Sequence, residues 1–352
     1  MRIIALPLYG IGDVLMCTPA LRNIKECLPD SHITFLHMFE TTRDILLGNS
    51  NVDENRYFPF LQPGMKGRGF KFLLDFRGKY DISINFYPSN RRDYNLAALL
   101  VGCKERIGHR YRLLDFMQLN FLKNRTVLED DLLHNVEENL RLLAFIGIKE
   151  PRRYPLELHL LAEEEHGALE WLTARKLRDR VIVGFHPGSS VFKEHAQKRW
   201  PLEKFAALID GFVENRPESF VILFGGPEED PLKDSLRAMC RQREHVFYPV
   251  GFRGIRETAA LVKRCSVFVA NDSGLMHLSA ALQVPTVAIF GPTNPRWLAP
   301  WKCPAKVIRL ATDCGPCFRY SPIPQRCIRE SEFSCVREID VKEVLEAVLS
   351  FL

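Results

Sequence analysis

No uninterrupted apolar run in the chain approaches the roughly 20 residues a bilayer-crossing helix needs, so no membrane span is expected. The opening MRIIALPLYGIGD is broken by Gly10 and Asp13 too early to read as a secretion signal. A cytoplasmic protein is the expectation, with the ten cysteines mostly reduced thiols or metal ligands. Charge of one sign is also scarce. The net charge of +5 is too weak to imply a nucleic-acid partner and suits an acidic surface or substrate. Disorder is excluded by 46% hydrophobic and 26% charged residues, and 352 residues suit two domains of ordinary size. One further absence matters. Gly10-Ile11-Gly12-Asp13 follows an apolar strand and precedes a helix, but it lacks the third glycine of a dinucleotide fingerprint. No acidic residue is convincingly placed after the next strand, at residues 33–36, so NAD binding is disfavoured.

What is present is organised around residues 271–291, NDSGLMHLSAALQVPTVAIFG. Residues 265–270 read as a buried strand, and residues 284–290 as a second. Asn271, Asp272 and Ser273 offer N-cap chemistry between them, Gly274 lets the backbone pass close to a ligand, and apolar residues then recur at helical spacing. His277 lies one turn beyond Ser273, on the same side as the cap. In open parallel sheets the carboxyl ends of strands hold ligands, and a helix N-terminus there favours phosphate. Capping and a satisfied interior histidine account for these residues equally well if the motif stands alone.

Three other motifs follow strands in the same way. Residues 2–8 form a first strand leading to Gly12 and Asp13, with the helix expected from residue 14 to 28. Residues 181–185 lead into His186-Pro187-Gly188-Ser189-Ser190 and then Lys198-Arg199-Trp200-Pro201. Glycine and hydroxyls after a strand can cradle a phosphate, and a lysine adds a compact positive charge. His186 is expected to position this loop. Residues 219–224 lead into Gly225-Gly226-Pro227-Glu228-Glu229-Asp230.

Taken together, the G-x-G-D, H-P-G-S…K-R-W-P, carboxylate-turn and D-S-G-x-x-H motifs resemble glycosyltransferase family 9, which includes the ADP-heptose:lipopolysaccharide heptosyltransferases. The resemblance spans both halves of the chain. It implies an α/β fold of the GT-B kind, with two doubly wound Rossmann-like domains facing a cleft. The expected limits are an acceptor-binding domain over 1–175, a nucleotide-sugar domain over 176–337, and a helix over 338–352 crossing back to the first domain. It implies an inverting glycosyltransferase moving heptose from ADP-heptose to a lipid A or inner-core acceptor, with Asp13 as catalytic base. The same Asp13 suits a cap. The donor set carried over is Gly12, Ser189, Ser190, Lys198, Glu228, Asp272, Ser273, Gly274 and His277, with Glu229 and Asp230 as alternatives to Glu228 at the ribose.

An anionic, lipid-linked acceptor would meet arginine forks, for which Arg91, Arg92 and Arg110 are the candidates, at the inner membrane surface. The chemistry needs no cofactor. Cys314, Cys317, Cys327 and Cys335 suggest a structural zinc or iron site, with four free thiols as the alternative. Two other readings stay open: a family 9 transferase using another nucleotide sugar or a protein acceptor, and a metal-binding or redox protein built on the cysteine tail.

Overall fold

The computed structural model describes residues 1–6, 10–189, 198–249, 252, 254–320, 323, 326–329 and 332–352. The chain forms two compact units: Met1–His159 with Tyr320–Ile323, and Leu160–Arg319 with Pro324–Leu352.

In the first unit the strands are β1 (Arg2–Ala5), β2 (His32–His37), β3 (Glu54–Tyr57), β4 (Ile82–Ile84), β5 (Glu105–Arg110) and β6 (Arg125–Leu128). They form one parallel sheet in the order β3-β2-β1-β4-β5-β6. Central strands of such a sheet are covered on both faces and read as apolar runs. β1 and β4 do so, with Ile3, Ile4, Ile82 and Ile84 all buried. One face packs Ile4, Leu6 and Leu36 against Leu73 and Phe76 below and Ala97, Ala98 and Val101 of the helix Arg92–Val101.

The second unit repeats the plan. Its strands are β7 (Ile182–His186), β8 (Phe220–Leu223), β9 (Val246–Phe247), β10 (Val267–Asn271), β11 (Thr286–Phe290) and β12 (Ala305–Arg309), ordered β12-β11-β10-β7-β8-β9 and parallel throughout. Side chains alternate across a strand. Val183 and Phe185, Val267 and Val269, and Val287 and Ile289 accordingly share one face, packed against the helices Leu202–Asn215 and Val341–Leu349. In both sheets the first and fourth strands of the unit are neighbours, and the chain leaves them in opposite directions. That switch point is where an open α/β sheet leaves a crevice beyond its strand ends.

Two expected limits need correction. The helix Ala162–Ala174 was assigned to the first domain and belongs to the second unit. Its Glu164 takes a bidentate contact from Arg256 (2.5 and 2.9 Å) and its Glu165 pairs with Lys263 at 2.5 Å, both on or beside the helix Ile255–Val262. The closing helix was expected to return to the first domain, yet it completes the second unit's core through Val344, Ala347 and Val348. The carbonyl of Ile339 just before it accepts from Trp200 Nε1 (3.2 Å) and Lys204 Nζ (2.7 Å), which pins its entry. Tyr320–Ile323 is the late segment that joins the first unit; Tyr320 there accepts from Asn90 at its carbonyl (3.2 Å) and from Asn135 at its hydroxyl (2.7 Å).

Candidate active site

β7 and β10 lie side by side, and their carboxyl ends carry His186 and Asn271. Asn271 is fully buried and acts as a staple rather than a cap. Its Oδ1 accepts from the Trp200 amide (3.0 Å), and its Nδ2 donates to the carbonyls of Pro187 (2.8 Å) and Gly188 (3.2 Å). The loop after β7 and the chain entering the helix Leu202–Asn215 are thereby held to the end of β10.

Ser273 occupies the N-cap position of the helix Gly274–Ala281, but its hydroxyl makes no cap bond. It meets His186 Nδ1 at 3.0 Å instead. The expected cap chemistry is thus diverted, and the first-turn amides, Gly274 among them, take no side-chain cap from Ser273. His186 Nε2 in turn meets Glu229 Oε2 at 3.1 Å. Burial alone would raise the Glu229 carboxyl, but the His186 hydrogen bond and the charges of His186 and Arg199 hold it below the ordinary carboxylate range. Arg199 bridges back, its guanidinium reaching the Ser189 hydroxyl (3.2 Å), the Ser189 carbonyl (2.6 Å) and Glu229 Oε1 (3.4 Å).

Position 188 has room only for glycine: a Cβ there would fall 1.8 Å from Glu229 Oε1. Lys198 is 5% exposed, 3.5 Å from Asp272 Oδ2 and 4.1 Å above the Phe318 ring. An ammonium so placed faces a carboxylate on one side and the ring's negative face on the other. His277, four residues into the helix, is buried. Burial pushes its imidazole down to about 4 against the pull of Asp272, so it is neutral near pH 7.

Of the residues expected here, Ser189, Lys198, Asp272, Ser273, Gly274 and His277 come together at this strand edge. Ser190 lies outside the described residues. Glu228 is exposed on the short turn Pro227–Glu229, while its neighbour Glu229 is buried in the network. His186, expected to position the loop, links Ser273 to Glu229. Arg199, Glu229 as an anchor, Asn271 as a staple and Phe318 under the lysine were not anticipated. Arg199 sat within the quoted motif and Glu229 within the acidic turn; Phe318 carries no local signal.

In the first unit the corresponding edge holds Gly12 and Asp13. The helix expected from residue 14 begins earlier, as Ile11–Leu15, and a second helix, Thr18–Cys27, follows with Pro19 in its first turn. A proline tolerates a first turn but not a helix interior, which accounts for the break. Asp13 is therefore inside the first turn, half-buried, with Oδ2 accepting from the Gly10 amide at 3.1 Å. Gly10 permits this approach, since a Cβ there would sit 3.0 Å from that oxygen. Gly12 is buried in the same turn. Arg91 and Arg92 flank the start of the helix Arg92–Val101, and Arg110 at the end of β5 is exposed and paired with Asp115.

The four tail cysteines share one neighbourhood. Burial pushes the Cys335 thiol up to about 11, and the nearby Cys317, Cys327 and Cys314 add to the rise. Cys327 Sγ accepts from the Phe333 amide at 3.3 Å. Among the described residues no group of three or more His, Cys, Asp or Glu side chains is disposed to hold a metal ion.

Comparison with known proteins adds four findings. The family model described as "Glycosyltransferase family 9 (heptosyltransferase)" matches residues 77–326. The lipooligosaccharide heptosyltransferase 2 of Campylobacter jejuni serotype O:2 is 26% identical over 351 residues, 97% of this chain and 95% of that protein. The lipooligosaccharide heptosyltransferase 2 of Haemophilus influenzae is 34% identical over a shorter stretch of 136 residues, 38% of each protein. The solved structure of Escherichia coli ADP-heptose lipopolysaccharide heptosyltransferase II superposes with a TM-score of 0.77 over 100% of this chain and 98% of that one, at 24% identity.

Proposed function

The chain belongs to glycosyltransferase family 9 and is a glycosyltransferase of the heptosyltransferase kind, and from that premise we propose that it transfers heptose from ADP-heptose to a lipid A or inner-core lipopolysaccharide acceptor. The observation that carries the donor half is the convergence at one switch point of Lys198, Ser189, Arg199 and the start of the helix Gly274–Ala281. Two cations, a hydroxyl and a helix N-terminus suit a nucleoside diphosphate. The family likeness supplies the adenine and the heptose.

In this reading an acceptor hydroxyl oxygen bonds to the anomeric carbon as the bond from that carbon to the β-phosphate oxygen breaks. Inversion follows from a single displacement. Negative charge grows on the departing diphosphate, and Lys198, Ser189, Ser190 and the amides of Ser273 and Gly274 stabilise it as it grows. Asp272 keeps Lys198 oriented and Glu228 takes the ribose hydroxyls. Gly12 leaves room for the donor, and His277, neutral, packs behind the helix start. Asp13 accepts the proton of the attacking hydroxyl. Arg91, Arg92 and Arg110 meet the phosphates and carboxylates of a lipid-linked saccharide, and the protein works in the cytoplasm against the inner membrane surface. No metal enters the chemistry. The four tail cysteines are proposed to have a structural role, with zinc or iron as the ion they would take.

Calorimetric titration with ADP, GDP and UDP tests the reading. Selective ADP binding, weakened at least about tenfold in Lys198→Ala, is expected from the loss of a charge-assisted phosphate contact. Preference for GDP or UDP would keep the fold and discard heptose. Binding of none of them would remove the donor site.

A further inference from the structure

Six large apolar side chains of the first unit reach the surface on two adjoining elements. Leu96 and Leu99, 40% and 43% exposed, lie on the helix Arg92–Val101, and Leu113, Phe116, Met117 and Phe121, 45%, 75%, 58% and 46% exposed, follow β5. The two elements are tied together. Gln118 Oε1 accepts from the Arg92 amide (3.1 Å), and its carbonyl accepts from Asn95 Nδ2 (2.7 Å). The Phe116 and Phe121 rings stack with centroids 5.1 Å apart.

The segment that displays Phe116 and Met117 is a built structure. Its floor is Asn120, fully buried, which accepts from Asn95 Nδ2 (3.0 Å) and Lys123 Nζ (2.6 Å) and donates to Asn90 Oδ1 (2.8 Å). Leu114 and Leu119 both sit in the left-handed region, at φ 57° and 60°. A leucine takes that conformation only when its surroundings impose it. The backbone is thus held, against its own preference, in a turn whose apolar side chains point to water while its polar ones are buried. Contiguous exposed apolar surface of this kind marks an interaction site.

The rim says what covers it. Residues 91–125 carry eight Lys and Arg against three Asp and Glu, and all of these cations except Lys123, which is buried in the floor, are at least partly exposed. Arg92 lies one turn before Leu96 on the same helix face, and Lys104 and Arg112 are exposed. Of the acids, Asp93 is exposed beside Arg92, while Asp115 pairs with Arg110, Glu105 with Arg125 and Asp131, just beyond, with Arg112 at 3.7 Å; each pair engages one cation and one acid, and the rim keeps a net positive charge. Apolar tips on a rigid base within a basic rim match a bilayer carrying anionic headgroups: the tips enter the acyl boundary and the cations meet phosphate. A second copy of the chain would set one positive rim against another.

We propose that this face of the first unit docks on an anionic lipid surface. Its purpose rests on the lipid-linked acceptor of the proposed function; its evidence does not, and the two can fail separately. Full-length protein is floated with vesicles of phosphatidylcholine mixed with phosphatidylglycerol, and with phosphatidylcholine alone. Binding to the mixed vesicles is expected, weakening as salt rises and falling at least about tenfold in the Phe116→Ser/Met117→Ser double variant. Leu96→Gln/Leu99→Gln repeats the test from the other element. ADP titration of both variants, expected to match the parent, reports on the second unit alone. Failure of the parent protein to bind mixed vesicles, or equal binding by the variants, overturns the proposal. So does a dimer, seen by ultracentrifugation, that the same substitutions dissolve, which would assign the face to a second copy.

Discussion

Asp13 and His277 show how far single residues can be pressed. Asp13 accepts from the Gly10 amide within a helix's first turn, a place where a negative charge is favoured and the carboxylate is held in one orientation. In its proposed role as base it would act only once an acceptor hydroxyl is present. Asp13→Ala is therefore expected to lower turnover by about 10²- to 10⁴-fold while ADP affinity stays within about twofold, a split that steady-state kinetics and calorimetry separate. Unchanged turnover would remove Asp13 from the mechanism.

His277 makes a prediction about pH. Its folded value, driven down by burial to about 4, lies below the unfolded value near 6.5. Below about pH 6.5 the unfolded chain takes up a proton that the folded one refuses, so this histidine's contribution to stability falls as pH drops toward 4. Between about pH 7 and about pH 5 the loss from this one group is about 2 kcal/mol. Urea unfolding at the two pH values should show that component in the parent and lack it in His277→Gln. The residues at this scale were legible where their neighbours in sequence carry the signal, as in D-S-G or G-x-G-D. Phe318 was not legible, because what it does depends on Lys198 120 residues away.

At the scale of elements, the loop after β7 is the one whose shape matters most. It is fastened from three sides: Asn271 on its carbonyls, Arg199 on Ser189, and Glu229 against Gly188. Replacing Gly188 by Ala would drive a methyl into the Glu229 carboxylate and displace it from His186 and Arg199. Nucleotide affinity is expected to fall at least about tenfold, with a loss of stability of about 1–3 kcal/mol from overpacking; titration and thermal melting read the two. An unaffected Gly188→Ala protein would mean the Glu229 anchor does not shape the site. Strand–turn–helix units were readable in advance, since each carries its own apolar run and glycine turn. The helix limits were not. The start at Ile11 rather than residue 14 and the break before Thr18 follow from how Asp13 and Pro19 are used once the turn has formed.

For the whole molecule, the open question at the tail is whether four neighbouring thiols close on a metal. Metal analysis of the purified protein reads it: about one equivalent of zinc or iron per chain, lost in Cys317→Ser with transfer activity kept, would make the tail a structural metal site. Metal-free protein with full stability would leave four free thiols. The sequence by itself determined that this is a parallel α/β protein of two similar halves, because the central strands and their following turns are encoded locally by apolar runs and Gly, Ser, Asp and Asn at strand ends; the outer strands β3, β5, β6 and β12, with sequences such as ENRY and ERIGHR, carry no such run. It also located the family and most of the residues that gather at the β7–β10 edge. Only the tertiary structure decided where the helix Ala162–Ala174 and the closing helix belong, and that His186, Ser273, Glu229 and Arg199 form one network. Those outcomes rest on packing complementarity and charge pairing between segments tens of residues apart, and no window along the chain contains both partners.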